Sequence, residues 1–183
     1  MNTHHVCPAA LAGALDNGLR RWLQDPGRIL RPYLREGMTA LDLGCGPGFF
    51  TVDMARMVGP AGRVIACDLQ QGMLDRLRTK ISGTAIEGRV TLHRCEEGRI
   101  GWNGSADFIL AFYVIHEIPD QLALYAELLS LLRQDGQLLV VEPPLHVSAR
   151  DFSRSMAAAE AAGLKIGSGP EMLLHKTALL TRP

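Results

Sequence analysis

The stretch ALDLGCGPGFFT, Ala40 to Thr51, decides the fold of this chain. A short apolar run ends in three glycines at alternate positions, Gly44, Gly46 and Gly48, and a helical pattern follows over 49–58. A strand, a tight glycine turn and a helix start place bare backbone N–H groups at the edge of a sheet. Glycine suits such a turn because a side chain would block a ligand and because some turn residues need a positive φ. The stretch therefore predicts a site for a nucleotide-like ligand.

The composition is that of an ordinary globular protein. The 183 residues are 47% hydrophobic and 21% charged, with a formal net charge of zero. Neutral charge favours neither nucleic acid nor an anionic membrane as a partner, and no apolar run approaches the ~18 residues of a membrane span. The four cysteines show no CxxC spacing, which is typical of reduced thiols in a cytosolic protein. We therefore expect a soluble, cytoplasmic protein.

We predict one domain over residues 1–183, with a helical N-terminal extension over 1–36 and a core over 37–183. Apolar residues at helical spacing (Leu11, Leu15, Leu19 and Trp22) predict a helix over 9–24, which either covers the ligand as a lid or packs on a face of the sheet. His4, His5 and Cys7 have no second cluster to complete a four-ligand zinc site, so no metal is predicted.

The rest of the chain alternates strand and helix patterns. Strands are predicted over 40–43, 63–68, 90–95, 107–114, 137–141, 164–166 and 175–180. Helices are predicted over 49–58 and 70–81. A third helix is predicted to begin at Asp120 and to end at Gly136, with the apolar stripe Leu122, Tyr125, Leu128, Leu129 and Leu132. A fourth is predicted after a capping box of Ser148 and Asp151. This alternation predicts a doubly wound α/β sheet whose parallel strands end at a common edge, where ligands bind.

The glycine spacing bears on which ligand the turn holds. A nicotinamide-binding turn has glycines spaced G-x-G-x-x-G, the last one allowing helix and strand to pack closely. Here the third position is Phe49, and Gly48 lies one residue early. This spacing disfavours an NAD-dependent oxidoreductase.

ALDLGCGPGFFT, followed by VIACDLQQGML, resembles the first two motifs of class I S-adenosylmethionine-dependent methyltransferases. DFILAFYVIHEI and LLRQDGQLLVVEP are similar to that family's fourth strand and its following signature, and the variety is the small ubiquinone/menaquinone-type enzymes. The resemblance implies a Rossmann-like sheet of seven strands in the order 3-2-1-4-5-7-6, the last strand antiparallel, with helices on both faces. It also implies S-adenosylmethionine as cofactor and methyl transfer to a small-molecule acceptor by in-line displacement.

Acidic residues at two strand positions fit this cofactor. Asp68, at the end of the second strand, can accept hydrogen bonds from both ribose hydroxyls. Asp42 lies within the first strand, where an unpaired carboxylate is costly, so we expect hydrogen bonds from the glycine loop, and the resemblance implies that it helps to hold the methionine amino group. Leu69 is expected beside the adenine, and Cys95 and Glu96 occupy the region where the family reads the adenine amino group. The remaining predicted cofactor contacts are Gly44, Cys45, Gly46, Gly48, Ala111 and Phe112.

Activating an oxygen or carbon nucleophile requires a base near the ends of the fourth and fifth strands. The candidates are Tyr113, His116 and Glu117 after the fourth strand, and Glu142 and His146 after the fifth. We predict His116 as the base and Glu142 as its orienting partner or a substrate contact; the alternative for His116 is a structural role. Tyr113 is a catalytic candidate that can equally serve, with Phe112, as pocket wall.

Two other readings stay open. One is a regulatory protein or subunit that binds S-adenosylmethionine without turnover. The other is a thiophilic substrate such as arsenic, which cysteine thiolates would bind. The candidate cysteines are Cys45, Cys67 and Cys95, each of which follows or closes one of the first three strands.

Overall fold

A computed structural model describes residues 24–183. The helices in this part are α1 (Pro26–Leu30), α2 (Thr51–Met57), α3 (Gln71–Ile81), α4 (Gln121–Leu131) and α5 (Ala149–Ala161). The strands are β1 (Thr39–Leu43), β2 (Arg63–Asp68), β3 (Val90–Arg94), β4 (Ala106–Phe112), β5 (Leu132–Glu142), β6 (Lys165–Ser168) and β7 (Lys176–Thr181). The expected helix over 9–24, and His4, His5 and Cys7, lie outside the described residues. Across 24–183, no helix has the length and apolar character needed to cross a membrane.

The strands form a seven-stranded sheet in the order β3-β2-β1-β4-β5-β7-β6. Strand β7 runs antiparallel to both β5 and β6, whereas β1–β2, β2–β3 and β4–β5 are parallel pairs. The predicted fold class and strand order are therefore confirmed. The described chain divides into two compact units, residues 24–95 and residues 96–183, which are taken in turn.

In the unit 24–95, the glycine turn packs closely against α3. All five residues of β1 are buried, as expected of a strand covered on both faces. Gly48 has a φ of +85°, and a Cβ there would lie 2.3 Å from Cδ1 of Leu77 on α3. Gly48 thus allows the turn to approach α3 closely. In a dinucleotide-binding turn the third glycine, one residue later, allows the close packing. Phe49, which stands where a nicotinamide-binding turn has its third glycine, is itself buried and contacts the ring of Phe50 edge-on.

In the unit 96–183, the capping box before α5 is confirmed. The Ser148 hydroxyl accepts a hydrogen bond from the Asp151 N–H at 3.1 Å and donates one to the Asp151 carboxylate at 2.6 Å. The buried face of α5 includes Met156 and Ala159. Ser155 on the same helix meets the hydroxyl of Tyr125 on α4 at 2.9 Å, so a polar contact joins the two helices.

The end of α4 differs from the prediction. Leu122 is 50% exposed, Leu124 is buried in its place, and Leu132 already begins β5. Gly136 does not end the helix, because it lies inside β5, where the pairing register with β4 shifts and a Cβ would meet the carbonyl oxygen of Ala106 at 3.0 Å. A helix that is apolar on most sides carries no clear stripe, so its buried face could not be fixed from spacing.

Arg182 completes the end of α4 in place of a glycine cap. Its Nη1 donates to the carbonyl oxygens of Leu129 and Leu132, each at 2.9 Å. The last carbonyls of a helix have no partners within the helix, and a cation beside them is also favoured by the helix dipole. The chain therefore passes from α4 into β5 without a loop.

We expect Gly48→Ala to lower the free energy of unfolding by at least about 2 kcal/mol, since the new Cβ combines left-handed strain with overlap on Leu77. Gly83→Ala is the matched control, because Gly83 has a φ of +72° with nothing within 4 Å of its Cβ position. Urea titration measures both. Adding Leu77→Ala should recover part of the Gly48→Ala loss, and equal losses for the two single glycine variants would contradict the packing role.

We expect Arg182→Ala to cost about 1–2 kcal/mol, because two helix-terminal carbonyls lose a charged donor. In a chain of this size that is a fall of roughly 2–8 °C in the unfolding midpoint, measurable by circular dichroism. Arg154→Ala removes an exposed arginine paired with Asp151 at 2.7 Å and should change the midpoint by about 2 °C or less. Equal effects of the two variants would show that Arg182 does not cap α4.

Candidate functional site

The glycine turn is fixed to the end of β2 by its own backbone. The N–H groups of Gly44 and Cys45 donate to the carbonyl oxygen of Cys67 at 2.9 and 3.0 Å. The N–H of Gly46 donates to Oδ2 of Asp68 at 2.9 Å. Gly46 has a φ of +53°, and a Cβ at this position would meet nothing within 4 Å. The turn is thus held firmly, while its Gly46 face opens onto space that a ligand can enter.

Asp68 receives two backbone hydrogen bonds. In addition to the bond from Gly46, Oδ1 accepts the N–H of Gln70 at 2.9 Å, and the residue is 8% exposed. Burial raises the pKa of Asp68, and the two N–H groups oppose that effect without cancelling it. Each carboxylate oxygen has a second lone pair, so a fixed carboxylate still has acceptor capacity for ligand hydroxyls.

Asp42 has a partner that the sequence did not identify. Its buried Oδ2 accepts a hydrogen bond from the hydroxyl of Thr51, the first residue of α2, at 2.6 Å. A threonine at the start of the helix that follows the glycine turn was the available signal. The bond links the middle of β1 to the start of α2 and compensates part of the cost of a carboxylate in a buried strand.

The three cysteines of this unit are free thiols. The hydrogen bond with Cys95, followed by burial, raises the pKa of Cys67; burial, followed by the charges of Asp42 and Asp68, raises the pKa of Cys45. Thiols with raised pKa values stay protonated at neutral pH and are poor nucleophiles and ligands, which disfavours a thiophilic substrate. Within residues 24–183, no group of three His, Cys, Asp or Glu side chains is arranged to hold a metal ion.

Of the residues predicted beside the adenine, Leu69 and Cys95 lie together at the end of β2, whereas Glu96 belongs to the other unit. The N–H of Cys95 donates to the carbonyl oxygen of Asp68 at 3.0 Å, so Cys95 lies next to the end of β2. Leu69, which follows Asp68, is 38% exposed, unusually open for a leucine. Glu96 belongs to the unit 96–183, where its side chain is exposed and its backbone pairs with Arg99.

In the unit 96–183, His116 and Glu142 form a hydrogen-bonded pair. His116 lies in a short 3-10 turn (Ile115–Glu117) after β4, and Glu142 ends the parallel neighbour β5. Glu142, 2% exposed, accepts the backbone N–H of His116 at 3.1 Å and its ring Nδ1 at 2.5 Å. Because a carboxylate can only accept, Nδ1 carries the proton and Nε2 of the neutral ring is a proton acceptor.

Opposing effects set the pKa of His116. Burial, the largest single effect, lowers it, but the hydrogen bond and charge of Glu142 and the charge of Glu117 together raise it above the ordinary value of 6.5. The His116 side chain is 28% exposed and thus partly open to solvent. An imidazole whose Nδ1 is held by a carboxylate is oriented in the way that a general base requires.

Tyr113 follows β4 directly and has a left-handed backbone, with a φ of +62°. Its N–H donates to the carbonyl oxygen of Val141 on β5 at 2.8 Å. Its ring lies 4.4 Å from that of Phe112, measured between centroids, and Phe112 and Ala111 are buried. A tyrosine in this conformation costs about 1–2 kcal/mol, which the surrounding structure must offset.

The hydroxyl of Tyr113 is hydrogen bonded to Nε2 of His175, a residue that the sequence did not single out. Residues 113 and 175 are too far apart in the sequence for any local pattern to predict this contact. The sheet brings them together, because β7 runs antiparallel to β5 and Lys176, next to His175, pairs with Glu142. Both hydrogen-bonded pairs therefore lie at the edge where β4 and β5 end. His146, the other histidine predicted near this edge, is exposed.

Known proteins are similar to this chain in sequence and in fold. The family described as Methyltransferase domain matches residues 34–171. A solved SAM-dependent methyltransferase from Aquifex aeolicus has a TM-score of 0.84 and 26% identity, over 96% of this chain and 98% of that one. A demethylmenaquinone methyltransferase from Lactobacillus johnsonii is 31% identical over 110 residues, which are 60% of this chain and 45% of that relative.

A ubiquinone/menaquinone biosynthesis C-methyltransferase from Saccharophagus degradans is 27% identical over 110 residues, which are 60% of this chain and 44% of that relative. The match thus covers less than half the length of these two curated relatives. The family match, in contrast, covers well over half of this chain. With the strand order and the glycine turn, it assigns the chain: it belongs to the methyltransferase domain family, in the class I S-adenosylmethionine-dependent group.

Proposed function

We propose that this protein transfers a methyl group from S-adenosylmethionine to a small-molecule acceptor, with His116 as general base. The observation that carries the proposal is the pairing of His116 with the buried Glu142 in a chain of this family. A regulatory protein that only binds the cofactor has no need of an oriented, partly exposed proton acceptor. We further propose that residues 1–183 act as one catalytic domain, in the cytoplasm, without a nucleic-acid or membrane partner.

The unit 24–95 fits the cofactor. The open face at Gly46 leaves room for a ligand beside the turn, and Asp68 retains lone pairs for the ribose hydroxyls. Leu69 offers an apolar surface for the adenine, and Asp42 an acceptor for the amino group. Further contacts are proposed for Gly44, Cys45, Gly48, Cys95, Glu96, Ala111 and Phe112; Gly48 contributes by keeping the turn against α3. When bound, S-adenosylmethionine supplies an electrophilic methyl group on a sulfonium.

The unit 96–183 supplies the proton chemistry. Glu142 holds Nδ1 of His116, so Nε2 is positioned to withdraw a proton from a hydroxyl of the acceptor, and the resulting imidazolium is stabilised by the carboxylate. Removing that proton makes either the oxygen or a conjugated carbon of the acceptor nucleophilic. The relatives named for demethylmenaquinone and for C-methylation provide the first acceptors to test.

Isothermal titration calorimetry with S-adenosylhomocysteine and with NAD tests the cofactor. We expect S-adenosylhomocysteine to bind and NAD to give no signal. Asp68→Ala should weaken the binding about tenfold or more, because it removes an anionic acceptor worth roughly 1.5–3 kcal/mol per hydrogen bond. Asp75→Ala, an exposed carboxylate on α3, is the matched control and should bind normally. Tight NAD binding without binding of S-adenosylhomocysteine would refute the proposed function.

The base is tested by a histidine NMR titration and by methyl-transfer assays over pH. We expect His116 to titrate above 6.5, and Glu142→Gln to lower its pKa, because burial then acts with less opposition. Since the neutral ring is the active form, turnover should rise with pH as His116 loses its proton. His116→Ala should reduce turnover about 10²–10⁴-fold at little cost in cofactor affinity.

His93→Ala, on β3, is the control histidine variant for the same assays and should retain turnover. Wild-type turnover in His116→Ala, on an acceptor that the protein methylates, would remove His116 as the base. A His116 pKa that does not change in Glu142→Gln would show that the carboxylate does not orient the ring.

A further inference from the structure

A cavity of about 630 Å³ lies within the unit 24–95. Its walls come from the turn before α2, from α2 itself, from the end of α3 and from the connection between α3 and β3. Of the proposed cofactor contacts, Gly48 borders this cavity, whereas Gly46, Asp68 and Leu69 do not. The cavity therefore lies apart from the open face of the glycine turn at Gly46.

The charged side chains that line the cavity are all cations. They are Arg56 on α2, Lys80 on α3 and Arg89 in the turn before β3, and the lining that the structure describes contains no Asp or Glu. The whole chain has 19 basic and 19 acidic residues, so this is a local excess of positive charge. Asp53 pairs with Arg56 at 3.3 Å, but Arg56 is 63% exposed, and an ion pair this exposed is weak enough to be exchanged for a ligand.

Arg89 is held in place and keeps donors for a ligand. It is half-buried, and its Nη1 donates to the carbonyl oxygen of Ala55 on α2 at 3.2 Å. Across residues 24–183, the structure gives the Arg89 side chain no other hydrogen bond. A guanidinium has five N–H donors in a planar fork that matches the oxygens of phosphate and carboxylate groups. Arg89 can therefore bind an anion without giving up its contact with α2.

The rest of the lining is mainly apolar. Phe49 and Ile86 form its buried part, with 3% and 7% exposure, and Val52 and Ala85 lie nearer to solvent. The volume is within the range of roughly 300–1,000 Å³ that is usual for small-molecule sites. Apolar walls beside three cations suit a ligand that has an apolar body and an anionic group.

We propose that this cavity binds a small organic phosphate, with its apolar body against Phe49, Val52 and Ile86 and its phosphate group against Arg89. A phosphate monoester carries about −1.5 to −2 charges at pH 7, which complements three cations better than the single charge of a carboxylate does. This site goes beyond the proposed methyl transfer and does not depend on it.

Isothermal titration calorimetry with three probes tests the proposal: 1-naphthyl phosphate and its two parts, 1-naphthol and inorganic phosphate. We expect the ester to bind about tenfold or more tightly than either part, because it contacts the apolar walls and the cations together. Added sodium chloride should weaken its binding, since salt screens charges that solvent reaches. The titrations are repeated with S-adenosylhomocysteine present, and the ester should bind equally well.

Two variants change the charge of the cavity in different ways. Arg89→Gln should weaken binding of 1-naphthyl phosphate about tenfold or more, because it removes a charged, bidentate donor. Ala85→Glu places a carboxylate at an exposed position of the lining and should have a similar effect by repulsion. Arg78→Ala, which removes an exposed cation of α3 outside the lining, is the matched control and should bind normally. If circular dichroism shows that Arg89→Gln does not fold, Ala85→Glu decides the test.

Methyl NMR locates the bound ester. The methyl signals of Val52 and Ile86 should shift during the titration, whereas those of Ile109 on β4 should not. No binding of the ester, binding no tighter than that of either part, wild-type affinity in Ala85→Glu, or loss of the site when S-adenosylhomocysteine is present would each overturn the proposal. A failure of S-adenosylhomocysteine to bind counts against the proposed function alone.

Discussion

A buried carboxylate at the end of β5, that of Glu142, is the constraint on which the structure around His116 depends. Glu142 is almost fully removed from solvent, and such a charge is tolerated only with strong partners. His116 supplies two of them, its backbone N–H and its ring Nδ1, so the carboxylate fixes both the turn after β4 and the orientation of the ring. Any change that loosens either bond exposes an uncompensated charge inside the sheet. The orientation of the His116 ring and the local fold therefore depend on the same interaction.

Asp68 and the aromatic side chains after β4 are held by different means. In residues 24–95, Asp68 is held by backbone N–H groups of the glycine turn and of Gln70. In residues 96–183, side chains hold one another, as in His116 with Glu142 and Tyr113 with His175. Backbone donors survive most substitutions, whereas a side-chain pair is lost with either partner.

The fold could be predicted from the sequence where local chemistry decides it. The glycine turn, the strand ending at Asp68 and the Ser148 capping box depend on neighbours within a few residues, and the structure confirms these elements. The end of α4 could not be predicted, because its terminal carbonyls are satisfied by Arg182, about fifty residues later. A glycine near a helix end suggested a cap, whereas packing against Ala106 explains Gly136.

The candidate site likewise divides into residues that local sequence patterns identify and residues that only the tertiary structure brings in. His116 and Glu142 were identified because both follow strands that end at one edge, and the structure brings them into contact. Thr51 and His175 were missed, since each becomes a partner only through tertiary placement. The left-handed conformation of Tyr113 is likewise imposed by its surroundings, because nothing in a tyrosine favours it.

The location of His175 has an evolutionary consequence. It lies in the connection between β6 and β7, whereas His116 and Glu142 lie at the ends of β4 and β5. Connections accumulate substitutions and length changes more readily than the strands they join. A lineage can therefore alter the surroundings of the Tyr113 side chain by changing one surface connection, while the contact between His116 and Glu142 stays intact.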